Sequence, residues 1–175
     1  MSTAAPRHYG RISRYLHWGM AVAFAWQFAT TGARQLVSES ALDELLWATH
    51  KPMGVLLMLL VMIRIIWALL DRANRPSEIN RMATLGHLSL YLLMFAVPAL
   101  ALLRQYGSGR AFSPLGIPLM PGFEGDEIEW MTSLGSLLHG FLGWTLLVLV
   151  IGHIVMTVWH RRTGDHDVME RMLVK

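Results

Sequence analysis

WMTSLGSLLHGFLGWTLLVLVIGHIVMTVWH, residues 130–160, contains no Asp, Glu, Lys or Arg and places His139 and His153 inside an apolar run. A helix needs about 20 predominantly apolar residues to cross the hydrocarbon core of a bilayer. The stretch therefore predicts a transmembrane helix at about residues 133–160 that overruns the bilayer and carries two histidines.

Three further segments have the same character. Residues 15–33 and 82–103 carry no charged side chain, and residues 52–70 carry only Arg64. Charged residues make up 15% of the 175-residue chain, against about 25% in soluble domains, because they are confined to the connections between these segments. The pattern predicts an all-α, integral membrane, four-helix transmembrane bundle. Its helices would cover approximately residues 15–34, 50–70, 82–104 and 133–160, in a single domain spanning residues 1–175.

Lysine and arginine are distributed unequally between the two predicted sides of the membrane. One side carries Arg7, Arg11, Arg14, Arg72, Arg75, Arg81, Arg161, Arg162, Arg171 and Lys175, and the other carries Arg34, Lys51, Arg104 and Arg110. Cytoplasmic connections are enriched in these residues, so both termini are predicted to be cytoplasmic. Because the basic residues flank apolar segments and form no binding stripe, the net charge of +3 does not indicate nucleic-acid binding.

The connections differ in composition. Residues 34–49 are predicted to form a short acidic connection, and residues 104–129 form the longest one, which is rich in glycine and proline. The apolar centre of that connection, residues 112–120, is too short and too interrupted by proline to cross a bilayer. It is expected either to lie on the membrane surface or to cap one mouth of the bundle.

Histidine is the expected metal ligand, because the chain has eight histidines and no cysteine. The lack of cysteine excludes disulfides, thiolate metal sites and covalently attached c-type haem. His139 and His153 are 14 residues apart, which in an α-helix is about 21 Å along the axis and within about 40° of the same face. Two ligands so placed predict two metal centres, one near each membrane surface.

Each centre needs a second histidine at a matching depth on another helix. His50 is the candidate at the outer level, and His17 or His87 at the inner level, a choice that the spacing leaves open. A pair of imidazoles leaves zinc or copper without its usual third and fourth ligands. Haem supplies four nitrogens itself, so the pattern predicts two b-type haems suited to one-electron transfer. Taken singly, each histidine would instead be interpreted as an interfacial polar residue.

Two other features have alternative interpretations. Gly135, Gly140, Gly143 and Gly152 flank the histidines of the fourth segment, where they could admit a porphyrin edge or, as is more usual, permit close helix packing. Arg64 follows His50 by 14 residues and so lies on nearly the same helix face. Its guanidinium could pair with a propionate of the inner haem or extend to the lipid headgroups.

Several motifs, taken in order, resemble the bacterial cytochrome b561 family. They are Arg14-Tyr-Leu-His17-Trp18, His50-Lys-Pro-Met-Gly54, Arg64-Ile-Ile-Trp67, Gly86-His-Leu-Ser-Leu-Tyr91 and the helix with His139 and His153. The resemblance covers nearly the whole chain. The family is similar to the membrane cytochrome subunits of formate dehydrogenases and nickel–iron hydrogenases.

The resemblance implies a multi-pass protein of the bacterial inner membrane that binds two haems b and exchanges electrons with ubiquinone. His17 and His153 would ligate the inner haem iron, and His50 and His139 the outer one, which leaves His87 without iron. Members of the family include a superoxide oxidase. The implied activity is therefore that of a superoxide:ubiquinone oxidoreductase, which passes electrons from periplasmic superoxide to the quinone.

Three residues acquire hypothetical roles in that reaction. Lys51 adjoins His50 and is the leading candidate for attracting an anionic substrate, although the neighbouring acidic residues oppose such steering. His87 and His160 are candidates for contact with the quinone or for transfer of its protons. His87 has the alternative of a helix-packing role.

Two other functions are consistent with the same sequence. The chain could be an electron-transfer subunit that receives electrons from a dehydrogenase or another redox partner protein. In a different class, it could be a haem-free small transporter or proton-conducting protein whose histidines relay protons.

Overall fold

The computed structural model describes residues 8–77, 79–164 and 168–173. Four long helices make up most of this part of the chain: α1 (Arg11–Leu36), α2 (Ala41–Leu70), α3 (Arg81–Gly107) and α4 (Glu129–Thr163). Two short 3-10 turns, Arg72–Asn74 and Pro114–Gly116, lie in the connections. The prediction of an all-α fold with four helices is confirmed.

Helix α2 differs most from its prediction, since it begins at Ala41 and not near residue 50. The Ser40 side chain caps the helix by accepting a hydrogen bond from the Asp43 backbone N–H, and Asp43 and Glu44 lie in the first turn. Carboxylates are favourable there because the first turn carries unpaired N–H groups and the positive end of the helix dipole. The segment predicted as an acidic connection is therefore mostly helical, and His50 lies well inside α2.

Three of the four described helices, α2, α3 and α4, are long and apolar enough to cross a membrane. Helix α1 is less apolar, because its central turns contain His17, Gln27, Thr30 and Thr31. Large apolar side chains are exposed on the outside of the bundle, for example Leu69 at 69% and Leu137 at 71%. Such surfaces are stable where lipid, and not water, surrounds the helices.

The helices pack as two antiparallel hairpins. Helix α1 packs along α2, helix α3 packs along α4, and α2 also contacts α3. Few large or small apolar side chains in the described residues are buried: Met20, Ala23, Leu57, Val61 and Leu146. Most side chains of the described helices therefore remain at least partly exposed.

The connection between α3 and α4 folds back against α2. Phe112 and Met120 pair as an isolated antiparallel bridge, and the turn Pro114–Gly116 between them contacts α2. The Lys51 ammonium lies 6.0 Å from the centre of the Phe112 ring. The segment therefore lies beside the α2 residues next to His50, while the turn's own Leu115 is 79% exposed.

The C-terminal residues 168–173 fold onto the start of α1. Hydrogen bonds to backbone carbonyls join the two, among them those from Tyr9 N–H to Arg171, from the Arg14 guanidinium to Leu173 at 2.6 Å and from the Trp18 indole N–H to Met172 at 2.8 Å. The two ends of the described chain thus lie on the same side of the bundle. Arg7 and Lys175, two of the basic residues predicted on the cytoplasmic side, lie outside the described residues.

Candidate functional site

In each of two histidine pairs, the two rings face each other between helices that do not otherwise pack closely. The outer pair is His50 of α2 with His139 of α4, whose ring centres are 6.3 Å apart at an interplanar angle of 82°. The inner pair is His17 of α1 with His153 of α4, again 6.3 Å apart, at 63°. The structure thus brings together the partners that the resemblance implied, one pair toward each end of α4.

The spacing in both pairs fits two axial ligands on one iron. An imidazole nitrogen binds a transition metal at about 2.0 Å, and the ring centre lies about 1.1 Å behind that nitrogen. Two rings on opposite sides of one ion therefore have centres about 6.2 Å apart. The residues present fit haem at both levels.

Hydrogen bonds orient both rings of the outer pair. Nδ1 of His139 lies 2.9 Å from the backbone oxygen of Val97 in α3. Because a carbonyl oxygen only accepts, Nδ1 carries the proton and Nε2 keeps its lone pair. Metal-binding histidines usually donate their second N–H in this way.

His50 has the same tautomer for a different reason. The Thr30 hydroxyl donates its one hydrogen to the backbone oxygen of Gln27 at 2.7 Å, so it accepts from Nδ1 of His50, also at 2.7 Å. The Gln27 amide nitrogen lies 3.1 Å from the His50 carbonyl oxygen and 3.2 Å from its Nε2. An amide N–H approaches only a lone pair, so Nε2 is the unprotonated nitrogen of His50.

Gln27 and Thr30 are site residues that no sequence motif singled out. Thr30 is fully buried, and the side-chain oxygen of Gln27 is buried without a hydrogen-bond partner in the described structure. The available signal was their position: both are polar side chains in the middle of a predicted transmembrane segment. They lie at the level of His50 because α1 and α2 are antiparallel.

The inner pair belongs to a larger cluster that includes Arg64. The side chain of Arg64 lies close enough to His17 and His153 for its charge to act on both rings. It donates hydrogen bonds to the Tyr91 hydroxyl at 3.0 Å and to the Ser13 backbone oxygen at 3.1 Å. Arg64 is therefore held against α1 and α3 next to the inner pair.

The structure places the remaining candidates as follows. His87 of α3 is exposed, and its ring centre lies 5.6 Å from that of His153. His160 is half-buried near the end of α4, and its Nδ1 is buried without a hydrogen-bond partner in the described structure. Lys51 is exposed and donates to the Gln105 side-chain oxygen at 3.0 Å. Because Gln105 is neutral, the charge of Lys51 is not compensated by a carboxylate among the described residues.

The glycines of α4 divide between the two interpretations. A Cβ at Gly135 would lie 2.6 Å from the Arg104 Cβ and 2.7 Å from the Leu100 backbone oxygen, so this glycine permits close packing on α3. A Cβ at Gly140, Gly143 or Gly152 would meet nothing within 4 Å. Those three glycines are therefore not needed for packing between the described helices.

Comparisons with known proteins identify the family. A family model described as prokaryotic cytochrome b561 matches residues 8–175. The chain is also 32% identical, over 183 aligned positions, to cytochrome b561 homolog 2 of Escherichia coli strain K12, with 99% of this chain and 95% of that protein covered. These matches, to a chain that folds as an apolar helical bundle with two pairs of facing histidines, show that it belongs to the prokaryotic cytochrome b561 family of multi-pass, b-haem membrane electron-transfer proteins.

Proposed function

We propose that this protein is a di-haem b cytochrome of the bacterial inner membrane that transfers electrons from periplasmic superoxide to ubiquinone. All four helices would cross the membrane, with both termini in the cytoplasm. The observation that carries the proposal is the repeated 6.3 Å spacing of two histidine pairs whose α4 members are about 21 Å apart along the helix. When bound, haem supplies reversible one-electron redox chemistry at each pair.

The geometry favours His17 over His87 as the inner partner of His153. The His17–His153 spacing equals that of the outer pair, whereas His87 lies 5.6 Å from His153, about 0.6 Å short of the axial spacing. His17 is also half-buried, while His87 is exposed. We therefore assign the inner iron to His17 and His153 and leave His87 without iron.

Helix α1 can span a bilayer despite its polar residues, because these face other helices. Gln27 and Thr30 bond to His50, and Ser13 accepts from Arg64 and Trp67 of α2. In lipid, polar groups are tolerated when they are paired inside the bundle. The 26 residues of α1 also provide a length of about 39 Å, enough to cross the hydrocarbon core.

The outer end of the bundle suits a small anion. Of the four basic residues there, Arg34 is neutralised by Asp43 at 2.7 Å. Lys51 is exposed and adjoins His50, and its described partners, the Gln105 amide oxygen and the Phe112 ring, carry no negative charge. An uncompensated ammonium raises the local concentration of anions and their rate of encounter, so Lys51 would attract superoxide toward the outer pair.

The inner end suits quinone reduction. Two superoxide ions each lose one electron and become O₂, and ubiquinone takes up the two electrons and two protons to become the quinol. His160 offers a ring nitrogen with no hydrogen-bond partner in the described structure, and His87 lies beside His153. An imidazole can bond a quinone oxygen or deliver a proton to it near neutral pH.

The first experiment measures the ratio of haem to protein in the purified protein and in single histidine variants. We expect two haems per chain in the natural protein and one in His139→Ala and in His153→Ala. His87→Ala is the matched control and should retain both. A colourless protein, or retention of both haems in the His139 and His153 variants, would contradict the ligand assignment and favour a haem-free function.

The second experiment supplies superoxide enzymatically to the purified protein in detergent and follows the reduction of a ubiquinone analogue. The expected result is quinone reduction that disappears in His139→Ala and in the presence of superoxide dismutase. A protein with two haems and no such activity would instead indicate an electron-transfer subunit that needs a partner protein.

A further inference from the structure

The two haem sites differ in how their histidines are held. Both rings of the outer pair donate from Nδ1 to an oxygen, His139 to the Val97 carbonyl and His50 to the Thr30 hydroxyl. The inner pair instead lies near the positive charge of Arg64. Of the two outer acceptors, only the Thr30 hydroxyl belongs to a side chain and can be removed by substitution.

The Thr30 side chain is buried, and its hydroxyl makes two hydrogen bonds. Thr30 is fully buried, and its hydroxyl is used on both sides, since it donates to Gln27 O and accepts from His50 Nδ1. Because the single hydroxyl hydrogen is committed to Gln27, the oxygen can only act as an acceptor toward His50. At 2.7 Å the contact is a short hydrogen bond.

We propose that Thr30 is a positioning residue that lowers the reduction potential of the outer site through His50. An acceptor at Nδ1–H fixes the ring orientation and makes the opposite nitrogen more basic. A more basic axial nitrogen stabilises the more positively charged, oxidised iron, and hydrogen bonding around a ligand is one of the means by which a protein sets such a potential. This inference rests on the proposed di-haem function.

The consequence concerns the direction of electron flow. A lower potential at the outer site opposes storage of the electron there and favours its transfer to the inner site, where the charge of Arg64 stabilises the reduced state. Thr30 would thus favour electron transfer from the outer site to the inner site without contacting the substrate, the quinone or the iron.

The chain offers a matched control for Thr30. Thr31 is the next residue of α1, and its hydroxyl donates to the same Gln27 carbonyl, at 3.3 Å, but it makes no described contact with His50. Thr30→Val removes the acceptor at nearly constant shape, Thr30→Ser restores it, and Thr31→Val removes a neighbouring hydroxyl of the same helix.

The experiment is a spectroscopic redox titration of the purified holoprotein with its haem-to-protein ratio. The outer component is identified as the one missing in His139→Ala. In Thr30→Val we expect the outer site's ratio of oxidised to reduced haem at fixed potential to fall at least threefold, which is about 28 mV upward for a one-electron couple. The inner component is the internal reference and should not move, and Thr30→Ser and Thr31→Val should match the natural protein.

Each other outcome has a defined meaning. Selective loss of the outer haem in Thr30→Val, with both haems kept in Thr30→Ser and Thr31→Val, also supports the positioning role, because it shows that His50 needs the acceptor to bind iron. An unchanged outer potential in a Thr30→Val protein with two haems overturns the inference, as does an equal shift in Thr31→Val. A natural protein without two haems would refute the proposed function itself.

Discussion

Replacing Gly135 by alanine tests whether the close packing of α3 on α4 sets the position of His139. The new Cβ would lie 2.7 Å from the Leu100 carbonyl oxygen and 2.6 Å from the Arg104 Cβ, against at least 3.4 Å in ordinary contacts. The neighbour at Leu100 is backbone, so the helices must separate by about 0.7 Å. His139 lies one helical turn away on the same face of α4.

That displacement would break a hydrogen bond of His139 and lower the stability of the protein. If α4 moves as a rigid helix, the bond from His139 Nδ1 to Val97 O lengthens from 2.9 Å to about 3.6 Å, beyond hydrogen-bonding range. Overpacking costs about 1–3 kcal/mol, and the better helix propensity of alanine returns about 1 kcal/mol. Because backbone atoms are involved, we expect the upper end of the range, a net loss of about 2 kcal/mol in the free energy of unfolding.

Gly32→Ala is the matched control, since a Cβ at that helical position meets nothing within 4 Å. It should raise stability by up to about 1 kcal/mol, which makes the two variants differ by about 3 kcal/mol. The assays are reversible unfolding in mixed detergent micelles and the haem-to-protein ratio, which should fall toward one haem in Gly135→Ala only. Equal stability of the two variants, with full haem content in both, would refute the packing argument.

Three more predictions concern charged side chains. Lys51→Gln should slow superoxide oxidation severalfold at low ionic strength and much less at high salt, because steering by a single exposed charge is screened; a salt-independent difference would contradict steering. Arg64→Gln should lower the reduction potential of the inner site by roughly 40–90 mV, from a charge interaction of about 1–2 kcal/mol, and no shift in a redox titration would place Arg64 away from that haem. Asp43→Asn should destabilise the protein by about 1–2 kcal/mol, because the buried carboxylate binds Arg34 and the Glu39 backbone N–H. Glu44→Gln, at an exposed position of the same turn, loses only a helix-dipole interaction and should cost no more than about 0.5 kcal/mol; equal losses in the two variants would contradict this account.

Much of the architecture was accessible from the sequence because it depends on local properties. Long uncharged segments predict helices, and the four predicted helices are present. The limits of α2 were not predicted, since the acidic residues after Ser40 suggested a connection, while they in fact stabilise the first helical turn. The fold of residues 108–128 was also out of reach, because its contact with α2 depends on residues such as Lys51 and Phe112 that are distant in sequence.

The candidate site was also predictable only in part, for features that lie along a single helix. The spacing of His139 and His153 along α4 is a property of one helix, so 14 residues of sequence fix their separation in depth and their shared face. Arg64 was recognisable for a similar reason, as the one charge inside an apolar segment. Its bonds to Tyr91 and Ser13, however, join three helices and appear only in the folded chain.

The sequence by itself determined how many helices form and how far apart His139 and His153 lie along α4, because backbone hydrogen bonds in a helix repeat every few residues and need no information from elsewhere. The tertiary structure alone decided which rings face each other at 6.3 Å and which hydroxyl holds His50. Those distances are between side chains of different helices. They are set by how closely α3 approaches α4 at Gly135 and by hydrogen bonds such as that of Thr30 to His50, between residues 20 positions apart.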